Sequence, residues 1–332
     1  MITGALFATG LLLIVAGSEL FTNAVEWAGY RMKLASGATG SLLAALGTAL
    51  PETAVPIVAL ISRQPTSNAV AIGAVIGAPF LLITLGMAVT GLAVATRRER
   101  PVLHVDPAQV RRDLGSFSGA FWILLVGVVL PQWARAVAAV ALVGLYARYV
   151  RATLRGGTPT ERMPEPLHML RLDEDRRGRP YPMAIAVQLL LAIAMLVAGA
   201  ELFVHGLDRL ATSISISPLL LSLVLVPIAT ELPETLNSVL WIRSRNDGLA
   251  FGNVAGAVTF QACLLGALGL AFTTWQPGHL GLINLGLTLL GGLYTLLLLH
   301  DGRCGGWRLA LNAVPWVAYV AVVLSVGTRL QG

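Results

Sequence analysis

Apolar runs long enough to cross a bilayer follow one another almost from end to end of this 332-residue chain. A lipid-spanning helix needs about 20 such residues. In hydrocarbon every backbone N–H and C=O must also be satisfied within its own segment, and helices do this. Ten spans are predicted, over residues 2–29, 36–62, 68–96, 115–131, 133–150, 182–208, 214–242, 248–273, 278–299 and 308–328. Only 12% of the residues are charged, against about 25% in soluble domains. The expected fold class is an all-α polytopic membrane protein. The first run is too long for a signal peptide and has no basic residues ahead of it, so it counts as a mature helix.

The net charge of +6 does not point to nucleic acid, because its placement follows the loop bias that orients membrane proteins. With the N-terminus outside, all of the 23 Lys and Arg except Arg63, Arg135, Arg209 and Arg329 fall on cytoplasmic connections. That distribution predicts a cytoplasmic-membrane protein with both termini extracytoplasmic. Residues 151–181, rich in Pro, Gly and mixed charge, read as a partly disordered cytoplasmic linker. Residues 97–114 read as a shorter basic loop lying on anionic headgroups. Cys263 and Cys304 have no paired spacing and read as small buried hydrophobes.

The two sides of the linker repeat each other. Val15-Ala16-Gly17-Ser18-Glu19-Leu20-Phe21 answers Val197-Ala198-Gly199-Ala200-Glu201-Leu202-Phe203, and Leu50-Pro51-Glu52-Thr53 answers Leu232-Pro233-Glu234-Thr235, both 182 residues apart. Gly73-Ala74-Val75-Ile76-Gly77-Ala78 answers Gly252-Asn253-Val254-Ala255-Gly256-Ala257, 179 apart. The expected division is a first five-helix repeat at 1–150, the linker at 151–181 and a second repeat at 182–332. Five spans per half is an odd number, so the second half enters the membrane inverted. This 5+5 arrangement occurs in secondary transporters, which bind substrate at the midplane between halves.

The chemistry-bearing residues are Glu52, Glu231 and Glu234. Carboxylates at membrane depth are costly and mark ion or substrate paths. Thr48 and Glu52 are four apart on one helix face, as are Thr230 and Glu234, and Glu231 lies three residues before Glu234. Pro51 and Pro233 have no N–H to give the carbonyls of Gly47 and Ala229, so both helices are expected to be interrupted there, as is tolerated where a helix lines a cavity. Carboxylates, hydroxyls and freed carbonyls form an all-oxygen set that suits a hard cation such as Ca²⁺ or Na⁺. The Gly73/Gly77 and Gly252/Gly256 pairs permit close helix approach, with Asn253 and Gln261 as polar candidates beside them. Glu19 and Glu201, mid-span in the first and sixth helices, fit two roles, an access route or hydrogen bonds between halves. His205 fits a proton relay with Glu201 or a structural histidine.

The duplicated phrase of the Gly-Thr-x-Leu-Pro-Glu type (47–53, and 229–235 with Ala229 in place of Gly), with its Gly-x-Glu-Leu-Phe block before and Gly-x-x-x-Gly block after, resembles the alpha-repeats of the sodium/calcium exchanger family of calcium/cation antiporters. The resemblance covers roughly 15–86 and 197–270. It implies alternating-access exchange of Ca²⁺ against Na⁺ or H⁺, with Glu52 and Glu234 as central metal ligands and Thr48 and Thr230 beside them. Small hydroxyl, Asn or Asp residues common in that family are replaced here by Ala49, Ala78, Ala257, Leu82, Glu231 and Gln261, so oxygens expected for Na⁺ are lost and one carboxylate is gained. No cofactor and no enzymatic activity are expected: there is no His-Glu-x-x-His and no nucleophile–base pair. The partners expected are the lipid bilayer and small cations. The competing reading is a non-transporting sensor or scaffold with a degenerate cation site.

Overall fold

The computed structural model describes residues 2–31, 50–62, 66–99, 101–156, 166–168, 180–213 and 217–329. The elements in chain order are α1 (Ile2–Arg31), α2 (Leu50–Ser62), α3 (Ser67–Leu81), a π-helical turn (Leu82–Gly86), α4 (Met87–Ala95), β1 (Val102–His104), α5 (Pro107–Gly127) and α6 (Gln132–Gly156). There follow α7 (Pro182–Ser213), α8 (Pro218–Arg243), α9 (Asp247–Phe260), a second π-helical turn (Gln261–Leu265), α10 (Gly266–Phe272), α11 (Gly278–Leu298), β2 (Arg303–Gly305), α12 (Gly306–Ala310) and α13 (Ala313–Arg329). Among the described residues seven helices are long and apolar enough to cross a membrane, and α2 and α8 contribute the shorter apolar stretches Glu52–Ser62 and Pro218–Ile228.

Missing side chains let these helices touch. A Cβ on Gly10 of α1 would stand 2.6 Å from the Phe203 nitrogen of α7, and one on Gly199 would stand 2.9 Å from the Gly10 carbonyl oxygen. At the α3–α8 crossing a Cβ on Gly77 would lie 2.7 Å from the Leu223 oxygen. Lipid tails are as apolar as leucine, so association must come from such close packing rather than from expelled water. One buried core gathers α3, α5, α9 and α11 around Phe80, Phe117, Phe121 and Phe251; a second gathers α1, α2 and α7 around Ile14, Val55 and Phe203.

Three expectations change. The stretch 97–114 is not a plain loop. Asp106 caps α5 by accepting from the Ala108 N–H at 2.9 Å, Pro107 opens the helix, and Val102–His104 pairs antiparallel with Arg303–Gly305. Arg97 ties that ribbon to the α8–α9 corner through bonds to the Ile242 carbonyl and the Asp247 carboxylate, which also accepts from the His104 N–H at 2.9 Å. Cys304 is buried within this ribbon, and burial pushes its thiol up from its ordinary value. Within the expected linker, residues 166–168 are docked: Leu167 is fully buried with Ala24, Trp27 and Ile185, the His168 N–H donates to Asn23 Oδ1, and His168 Nε2 lies 3.2 Å from Glu19 Oε1. Finally, α8 runs unbroken past Pro227 and Pro233, because one missing ladder bond does not end a helix braced by its neighbours. The irregular backbone sits instead in the two π turns.

Candidate cation site

The π turns begin at Leu82 and Gln261, the same 179-residue spacing that separates the Gly73 and Gly252 blocks. A π turn adds one residue to a helical turn, re-aims the side chains around it and recurs at functional sites. The second one turns Gln261 inward, where it is fully buried. Its Nε2 donates to Glu231 Oε2 at 3.0 Å and to Glu52 Oε1 at 3.3 Å. One amide therefore links α2, α8 and the α9–α10 helix. The other Glu231 oxygen accepts from Thr230 Oγ1 at 3.1 Å, and Thr230 Oγ1 lies 3.2 Å from the Val226 carbonyl.

Glu52, Glu231 and Glu234 are all buried to within a few per cent. Three acceptor oxygens in this cluster, Glu52 Oε2, Glu234 Oε2 and Gln261 Oε1, are buried without a hydrogen-bond donor. Buried acceptors left unmade cost about 1–3 kcal/mol each, more when charged, so three together describe a cluster built for something positive. Among the described residues no group of three or more His, Cys, Asp and Glu is already gathered as a metal cage. Two of the carboxylates, those of Glu52 and Glu231, are held around the Gln261 amide instead, so a cation that recruits all three must draw Glu234 in with them.

Of the other expected residues, Thr230 is in the cluster. Ala229 belongs to the α8 backbone four residues before Pro233, whose ring nitrogen cannot donate to its carbonyl. Gly47 and Thr48 lie outside the described residues. The expected access-path or relay residues Glu19, Glu201 and His205 are not brought to the cluster. Their helices turn Gly10 and Gly199 toward each other, which leaves positions 19, 201 and 205 exposed on the outer faces. Glu19 meets His168, and His205 Nδ1 lies 3.1 Å from the Glu201 carbonyl oxygen rather than its carboxylate. Gly252 and Gly256 face Gln109 and Tyr149 of α5 and α6, not the cluster.

Ser238, one turn beyond Glu234, was not singled out by sequence. It is fully buried and contacts the Glu234 carbonyl. Its only signal was the i, i+4 spacing from a membrane carboxylate.

The sequence profile described as sodium/calcium exchanger protein matches residues 2–155 and 184–325. The chain belongs to that family. It is thus a multi-pass membrane protein of a transporter family. Among its relatives, the putative antiporter CaxA of Alkalimonas amylolytica is 27% identical over 84% of this chain and 82% of its own. An uncharacterized membrane protein of Methanocaldococcus jannaschii is 25% identical over 76% of each chain. The crystal structure of an H⁺/Ca²⁺ exchanger, CAX, superposes with a TM-score of 0.72 at 19% identity, covering 98% of this chain and 88% of that one. The sodium-calcium exchanger NCX_Mj, soaked with 10 mM Na⁺ and zero Ca²⁺, gives 0.61 at 21% identity, covering 96% and 98%. At these identities the two structures speak for the fold.

Proposed function

We propose that this exchanger-family protein is a cation antiporter that exchanges Ca²⁺ or a related divalent cation against Na⁺ or H⁺ by alternating access. The observation that carries the reading is the trio of buried, unpartnered oxygens on Glu52, Glu234 and Gln261. A hard divalent cation takes 6–8 oxygen ligands and tolerates irregular geometry. Glu52 and Glu234 supply the principal charge, Glu231 adds a third carboxylate, Thr230 a hydroxyl, and Gly47, Thr48 and Ala229 the remaining oxygens. Relative to the family pattern the chain has lost small hydroxyl and amide positions at Ala78, Leu82 and Ala257 and gained Glu231, which favours a divalent ion over several Na⁺. The inverted 5+5 repeat, with the halves at 1–150 and 182–332, both termini outside and the protein in the cytoplasmic membrane, is the topology on which this mechanism rests. The 179- and 182-residue spacings of matched blocks and the equally spaced π turns support it.

Purified protein in liposomes tests the reading: radiolabelled Ca²⁺ uptake driven by an imposed Na⁺ or pH gradient is expected, and Glu52→Gln or Glu234→Gln abolishes it. Unchanged flux in both variants overturns the site. The gradient that drives uptake identifies the counter-ion, and cation-dependent stabilisation without flux under either gradient returns the protein to the sensor class.

A further inference from the structure

The two Pro-Glu turns are not held alike. In the second half the backbone carbonyl of Glu234 accepts Asn253 Nδ2 from α9 at 2.8 Å and Ser238 Oγ at 3.0 Å. Asn253 Nδ2 also reaches Ser238 Oγ at 3.1 Å, and Ser238 Oγ lies 3.3 Å from the Ala250 carbonyl. The result is a small clasp that joins the turn bearing Glu234 to α9, the helix whose far end carries Gln261. At the matched positions of the first half, 182 residues before Ser238 and 179 before Asn253, stand Pro56 and Ala74. Pro56 lies inside α2 and has not even an N–H to give the Glu52 carbonyl, while Ala74 has no polar side chain.

We infer that Asn253 and Ser238 are positioning residues that fix the Glu234 carboxylate for cation binding, and that among the described residues Glu52 has no counterpart to this clasp. The inference rests on the reading of Glu234 as a cation ligand. Neither residue need touch the ion. Both act through the Glu234 backbone, whose orientation decides where the unpartnered Glu234 Oε2 points. A buried ligand must be held within a fraction of an ångström of its productive position, and hydrogen bonds from its supporting residues do this.

The test is the half-saturation concentration for Ca²⁺, measured on full-length protein by thermal stabilisation in detergent, which rises with ligand bound to the folded state, and by flux in liposomes. Loss of one such hydrogen bond is expected to raise half-saturation about 3- to 10-fold. Asn253→Ala and Asn253→Asp both show this rise, since neither can donate, while maximal flux stays within about 2-fold. Ser238→Ala shows it and Ser238→Thr, which keeps the hydroxyl, does not. This second pair decides the matter should the Asn253 variants fail to fold. Unchanged half-saturation in Ser238→Ala, or a lowered melting temperature of ion-free protein with unaltered half-saturation, overturns the inference and leaves a structural clasp. Glu234→Gln separates the two readings. Loss of Ca²⁺ binding in Glu234→Gln beside an unaffected Asn253→Ala refutes positioning alone, whereas wild-type binding in Glu234→Gln refutes the site and the positioning with it.

Discussion

Replacing Gln261 by Leu, the residue at the matched position 82, removes the amide at the centre of the cluster while keeping the space filled. Two hydrogen bonds to carboxylates are lost. Bonds of this kind contribute about 1.5–3 kcal/mol each, and the 3.3 Å contact to Glu52 belongs at the weak end of that range, so Gln261→Leu should destabilise the ion-free protein by about 3 kcal/mol. The amide also separates charges. The 3.0 Å and 3.3 Å contacts share one nitrogen and so cap the separation of Glu231 Oε2 and Glu52 Oε1 at 6.3 Å. At an effective dielectric of about 20, ionising both would cost at least about 2.6 kcal/mol of repulsion. Glu231→Gln in the Gln261→Leu background removes that cost and is expected to recover up to about 2 kcal/mol. Reversible unfolding in detergent–SDS micelles with chelator present measures all four corners of this double-mutant cycle. A Gln261→Leu effect below about 0.5 kcal/mol, or a cycle additive within the same margin, would show that the amide does not bridge these carboxylates.

Three further outcomes follow from the packing. Gly77→Ala drives a methyl to 2.7 Å from the Leu223 oxygen and 2.8 Å from Pro227 Cγ; the overpacking costs about 1–3 kcal/mol and should lower the yield of folded protein on size exclusion, whereas Gly144→Ala, which meets nothing, should not. Arg97→Ala removes the bridge from Asp247 and the Ile242 carbonyl to the segment that follows α4, and amide hydrogen exchange should rise across residues 102–106 and 244–248 while α3 stays protected. Leu167→Asp places a charge in the pocket of Ala24, Trp27 and Ile185, so limited proteolysis should cut near residue 167 in the variant and not in the parent protein.

The helical class and the carboxylates were legible in the sequence because both depend on the same contrast, a polar side chain inside an apolar run. Glu52, Glu231 and Glu234 stand out for that reason, and Gln261 stands out as a polar residue in the apolar run that follows Gly252 and Gly256. Whether a carboxylate faces inward was not legible. Glu19 and Glu201 sit in equally apolar surroundings, yet the close contact of Gly10 with Gly199 fixes the rotation of α1 and α7 and turns both acids outward. The π turns were invisible because they have no residue signature of their own: one follows Leu81 and the other follows Phe260. The ribbon of Val102–His104 with Arg303–Gly305 was missed because its strands are three residues each and about 200 positions apart, too short for an alternating pattern to show. Ser238 looked like one more small residue in a helix until Asn253 was seen beside it.

The central claim is that a divalent cation sits among Glu52, Glu231 and Glu234. Anomalous diffraction from crystals soaked in a heavier divalent ion such as Mn²⁺, with Ca²⁺ as competitor, tests it most directly. The account predicts a single strong peak bounded by Glu52 Oε2, Glu234 Oε2 and Gln261 Oε1, with metal–oxygen distances of about 2.0–2.6 Å, erased by excess Ca²⁺ and by Glu234→Gln. A peak elsewhere in the protein, or one that survives Glu234→Gln, contradicts it.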